Sequence, residues 1–109
     1  MGTTKTTDYT NTEIRLAAIA KALAHPARMA ILRVLISRQA CVCGDIVDEL
    51  PLSQSTVSQH LKELKSAGLI KGDIDGAKVC YCIDEEAWSQ AQEMINELFD
   101  SYNPTFGCC

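Results

Sequence analysis

A chain of 109 residues with 47% hydrophobic side chains is long enough for one compact domain with a genuine core, and too short for two of ordinary size. No apolar run approaches the roughly 20 residues that span a bilayer, and the Thr-rich start from Met1 to Thr12 lacks the apolar centre of a secretion signal, so a soluble, cytoplasmic chain with no membrane partner is expected. The net charge of −4 argues against a nucleic-acid binder only until it is located: residues 84–109 carry six acids and no Lys or Arg, leaving ten basic against eight acidic side chains before them.

Residues 1–12 read as a flexible lead-in, 13–102 as the folded domain and 103–109 as a cysteine-containing tail. From Glu13 to Leu23, Leu16, Ile19 and Leu23 recur at helical spacing among alanines that favour helix. His25-Pro26 interrupts that pattern, and Pro26 suits the first position of a second helix running to about Ser37 with Met29, Leu32 and Ile36 on its apolar stripe. A short third helix is expected from Cys43 to Leu50, stopped by Pro51.

The fourth helix, Ser53 to Ala67, has the clearest pattern. Val57, Leu61 and Leu64 form its buried stripe, Ser53 is an N-cap candidate and Gly68 suits the C-terminal stop. Beyond it, Leu69–Ile74 and Lys78–Ile83 are β-favouring runs joined by a loop containing Asp75-Gly76, a hairpin signal. Asp84-Glu85-Glu86 opens a last helix with acids where the helix dipole favours them, and Ala87, Ala91, Met94, Ile95, Leu98 and Phe99 line its apolar side until Asn103-Pro104 ends it. The expected class is mainly α with a two-stranded β-wing.

Two short helices, the second polar on its outer face, form a helix-turn-helix whose second member enters the major groove by its N-terminal end. Gln54, Ser55, Ser58 and Gln59 are the expected base readers, because small hydroxyls permit close approach and Gln offers adenine a donor and an acceptor together. Thr56, Lys62 and Lys65 are better placed for phosphates, and His60 is a further candidate contact. A polar stripe alone is usually a solvated helix face; here a preceding turn-connected helix and a following β-wing accompany it. Asp73 and Asp75 would repel phosphate at the wing, so Lys71 and Lys78 must offset them if the wing touches DNA.

Six cysteines fall into three tight pairs, Cys41/Cys43, Cys80/Cys82 and Cys108/Cys109. In a reducing compartment such pairs point to metal binding or thiol chemistry rather than to a disulfide framework. Cys41 and Cys43 stand at the expected entrance of the third helix, where thiolates are favoured. Cys80 and Cys82 share one face of a strand, either as a ligand pair or as small apolar fillers.

The strings His25-Pro26-Ala27-Arg28-Met29-Ala30-Ile31-Leu32 and Leu52-Ser53-Gln54-Ser55-Thr56-Val57-Ser58-Gln59-His60-Leu61, continuing to Ala67-Gly68-Leu69-Ile70, closely resemble the ArsR/SmtB repressors over about residues 13–100. The resemblance implies a winged helix-turn-helix, a homodimer joined by the first and last helices, and repression of metal-efflux or detoxification genes. Two-fold symmetry would then set two reading helices about 34 Å apart on a palindromic operator. The string Ala40-Cys41-Val42-Cys43-Gly44-Asp45 resembles the family's metal-binding box, which implies an inducing ion and no organic cofactor.

One branch of arsenite sensors has a further cysteine downstream of that box, where this chain has Ile46 and Val47. Arsenite and antimonite, the expected inducers, prefer three thiolates, whereas cadmium, lead and zinc accept three or four ligands. Cys108 and Cys109 on the tail are the expected additional donors; a closed four-sulfur site from Cys41, Cys43, Cys80 and Cys82 is the alternative, and oxidation of a cysteine pair is a second kind of signal. An enzyme is not expected: Cys-x-Cys in an α-rich frame is not the Cys-x-x-Cys redox motif, and His25 and His60 lack an evident nucleophile or carboxylate partner.

Overall fold

The computed structural model describes residues 8–43, 52–73 and 80–104. Four helices and three strands follow in the order α1 (Asn11–Leu23), α2 (Pro26–Arg38), β1 (Val42–Cys43), α3 (Gln54–Ser66), β2 (Ile70–Asp73), β3 (Cys80–Ile83) and α4 (Glu85–Asp100). The expected third helix, Cys43 to Leu50, lies outside the described residues except for Cys43, so α3 is the helix anticipated from Ser53. Among the described residues no helix is long and apolar enough to cross a membrane.

Local chemistry sets the boundaries. Thr10 and Glu13 form a capping box in which the Glu13 N–H donates to Thr10 Oγ1 at 3.1 Å and the Thr10 N–H donates to Glu13 Oε1 at 3.0 Å, starting α1 two residues before the apolar pattern does. His25 caps α2 by accepting the Ala27 N–H on Nδ1 at 3.0 Å, with Pro26 supplying the fixed φ of a first turn. Ser53 and Asp84 cap α3 and α4 in the same manner, accepting from Thr56 and Ala87.

The core lies where α1, α2 and α3 meet the sheet. Val57, Leu61 and Leu64 are all buried, as their spacing requires. On α2 the stripe is rotated from expectation: Ile31, Leu32 and Leu35 are buried, while Met29 and Ile36 are exposed. Both sets have helical spacing, and the side of α2 that meets α3 and β3 decides between them.

The wing differs from its sequence reading by one strand. Its sheet is three-stranded and antiparallel, ordered β1-β3-β2, because Val42 and Cys43 are extended and pair with Tyr81 and Cys80. Cys43 therefore belongs to a strand rather than to the first turn of a helix. A two-residue strand carries too little periodicity to be visible in sequence, and it exists because β3 offers it an edge.

Candidate DNA interface and cysteine site

Two of the expected readers in the N-terminal half of α3, Ser55 and Gln59, lie on the side opposite its buried stripe. Ser55 and Gln59 are exposed, as are Lys62 and Lys65 further along, while Ser58 is half-buried. Gln54 opens the helix, and its side chain lies outside the described set. Ser53 Oγ, 2.9 Å from Thr56 Oγ1 and 3.2 Å from Ser55 Oγ, links three hydroxyls at the helix start. Lys71 is exposed on β2 beside the exposed Asp73; Lys78 lies outside the described residues.

His60 is only half-exposed, and its ring is turned to the α1–α2 junction, 4.4 Å between centroids from His25. Its buried Nδ1 has no hydrogen-bond partner, nor does the buried Nε of Arg28, whose guanidinium reaches Glu63 at 3.9 Å. Burial first, then the neighbouring His25 and Arg28 charges, push the His60 pKa down, against a smaller opposing effect of Glu63. This cluster joins the middle of α3 to the start of α2. Sequence reading missed it, because nothing local relates His25 to His60.

The sheet gathers four of the six cysteines. Pairing of Val42 with Tyr81 sets Cys43 opposite Cys80, and the next pair along is Cys41 with Cys82. Both pairs are disulfide-bonded, with Cα–Cα separations of 4.0 Å for Cys43–Cys80 and 4.3 Å for Cys41–Cys82. Successive residues of a strand alternate in direction, so Val42 and Tyr81 point into the core while the four sulfurs share the other face. Across β3 the same face continues onto β2, where Lys71 pairs with Cys82 and Asp73 with Cys80.

The structure thus brings Cys41 and Cys43 to Cys80 and Cys82, whereas Cys108 and Cys109 lie outside the described residues. With the four sulfurs joined in two disulfides, no group of three or more His, Cys, Asp or Glu among the described residues could hold a metal ion. The signal in the sequence was the shared spacing: two Cys-x-Cys pairs, each presenting two sulfurs on one side of an extended segment, match when the segments pair.

This sheet brackets α3. β1 precedes the helix by the segment 44–53, and β2 follows it after only Ala67, Gly68 and Leu69. Gly68, with φ +83, makes the sharp exit, and the Leu69 N–H donates to the Leu64 carbonyl at 3.1 Å. A helix with a polar, lysine-bearing outer face, held between a preceding helix and a β-wing, defines a winged helix-turn-helix DNA-binding protein.

Comparison with known proteins agrees. Residues 23–73 match a family described as a helix-turn-helix domain. The chain is 36% identical over 85 residues to an uncharacterized HTH-type transcriptional regulator of Methanocaldococcus jannaschii, covering 77% of this chain and 94% of that one. It is 31% identical over 94 residues to the arsenical resistance operon repressor of Staphylococcus xylosus, covering 86% of each. Its fold is similar to that of an ArsR-like transcriptional regulator from Rhodococcus sp. RHA1, with a TM-score of 0.66 at 20% identity, over 84% of this chain and 85% of that one. The chain belongs to the ArsR/SmtB family of transcriptional regulators, which are DNA-binding proteins and not enzymes.

Proposed function

We propose that this chain is a repressor that leaves its operator when thiolates at the base of its wing capture a thiophilic metal or metalloid ion. The observation that carries this reading is the position of Cys41, Cys43, Cys80 and Cys82 on one face of the β1–β3 pair, in the sheet that brackets the DNA-reading helix. Arsenite and antimonite would be served by three of these sulfurs, and cadmium, lead or zinc by four. Reduced, the donor set is all sulfur and fits such an ion by its chemistry. Cys108 and Cys109 are a second source of donors, which a variant lacking both separates from the wing pair.

The residues supply the coupling. Cys41 and Cys43 tie the approach to α3, while Cys80 and Cys82 belong to the strand that pairs with the exit from it. A change in how these cysteines are joined therefore acts on α3 from both ends. The bound and DNA-competent states must differ in ion affinity, with a coupling typically of about 1–3 kcal/mol.

A second copy of the chain completes the reading. α1 packs on α4, and Ile14, Leu98 and Phe99 on these helices stay exposed, Phe99 at 72%, as does Tyr102 just past the end of α4. Such a patch covered by its symmetry mate gives a two-fold dimer with paired reading helices.

The test uses a duplex selected from a random pool by the reduced protein. Adding arsenite, antimonite, cadmium, lead or zinc to the complex should release the duplex for at least one ion, followed by fluorescence anisotropy. Cys41→Ser and Cys43→Ser should remain bound. Release from both variants at wild-type ion concentrations would remove the cysteines from the mechanism.

A further inference from the structure

The two cysteine pairs are not equivalent. Cys41 and Cys82 line an open cleft of about 870 Å³ between the end of α2 and the start of α4, together with Gln39, Lys71, Glu85 and Trp88; Cys43 and Cys80 are not among its lining residues. Each pair joins an exposed residue, Cys41 or Cys43, to a half-buried one, Cys82 or Cys80, so the cleft is what distinguishes them. Thiol–disulfide exchange requires room for the incoming molecule beside the sulfur it meets. The cleft offers that room to Cys41 and Cys82.

We propose that Cys41 and Cys82 form a reversible dithiol–disulfide couple that exchanges with low-molecular-weight disulfides entering this cleft, and that its closure disarms the ion site. The second clause rests on the function proposed above; the first stands on the cleft alone. Cys41 thiolate attacks one sulfur of the small disulfide, whose S–S bond breaks, giving a mixed disulfide on Cys41 and expelling one small thiolate. Cys82 thiolate then attacks the Cys41 sulfur, forming the Cys41–Cys82 bond and expelling the second. The two cysteines lose two electrons and two protons, and the small disulfide becomes two thiols. Excess small thiol runs the same steps backward. With the tail cysteines replaced, closing this pair alone leaves Cys43 and Cys80, fewer than the three that the smallest of the proposed sites needs.

The experiment uses the full chain with Cys108→Ser and Cys109→Ser, treated with glutathione disulfide and analysed by peptide mass spectrometry. In the added Cys82→Ser variant a glutathione adduct should accumulate on Cys41, about tenfold faster than on Cys43 in the added Cys80→Ser variant, since Cys41 opens on the cleft and Cys43 does not, and rates follow access. Equal rates, or no adduct on Cys41, would overturn the proposal. Without the added variants, graded mixtures of glutathione and its disulfide should close Cys41–Cys82 before Cys43–Cys80, as read by differential alkylation; the reverse order also overturns it. Cadmium binding, followed by thiolate absorbance, should vanish in the closed form and return with dithiothreitol. Undiminished binding to the closed form refutes the disarming clause. A reduced chain that binds none of the five ions refutes the metal reading instead, while the adduct rates still decide the exchange.

Discussion

Val42 and Tyr81 face each other across β1 and β3 with both side chains buried, and this pair turns the residues on either side of it, all four cysteines, to the opposite face. Gly72 pairs with Tyr81 from the other strand, at φ +127. A Cβ there would lie 2.8 Å from the Tyr81 Cα and against the Cys80 carbonyl. The cysteine face therefore depends on a residue that carries no sulfur and no charge.

Gly72→Ala should cost at least about 1–3 kcal/mol from backbone strain alone. Urea unfolding of the reduced protein measures it. Because the clash falls on β3, the variant should also lose ion response, whereas an exposed strand neighbour such as Lys71→Ala should unfold like the parent.

The face of α3 predicts two kinds of DNA defect. Gln59→Ala, if Gln59 reads a base, should cost about 1–3 kcal/mol on the preferred duplex and little on a scrambled one. Lys65→Ala should weaken both duplexes alike and lower the slope of log affinity against log salt by about 1. Anisotropy titrations at several salt concentrations distinguish the two.

His60 predicts an acid sensitivity. Its pKa is lowered in the fold, so the unfolded chain takes up the proton first, and stability falls as pH drops below the ordinary histidine value of about 6.5 until the folded-state pKa is passed. Above that range the group contributes no pH dependence. His60→Gln should flatten this part of the stability profile below about pH 6.5. An unchanged profile would remove His60 as its source.

Phe99→Asp places a charge in the exposed apolar patch of α4. If that patch joins two copies, sedimentation equilibrium should show the variant as a monomer, with its helix content retained and its operator affinity reduced. A variant that remains dimeric would move the interface elsewhere.

The helices were largely legible in the sequence because each carries a stripe or cap that acts locally: Val57, Leu61 and Leu64 on α3, and Asp84 before α4. The buried side of α2 was not, since Met29 and Ile31 are both apolar and only the neighbours of α2 choose between them. The cysteine site was half legible. Composition and spacing singled out Cys41 and Cys43, but their pairing with Cys80 and Cys82 depends on β1, two residues whose strand character comes from distant partners in register, Tyr81 and Cys80. The His25–His60 contact is likewise a product of tertiary packing alone.

On the proposed function, ion capture by these thiolates and duplex binding by α3 oppose one another. Measuring ion affinity of the reduced protein with and without saturating duplex, and duplex affinity with and without saturating ion, tests it in one thermodynamic cycle. Both affinities should fall by the same factor, about 5–150. Equal affinities along both sides of the cycle would contradict it.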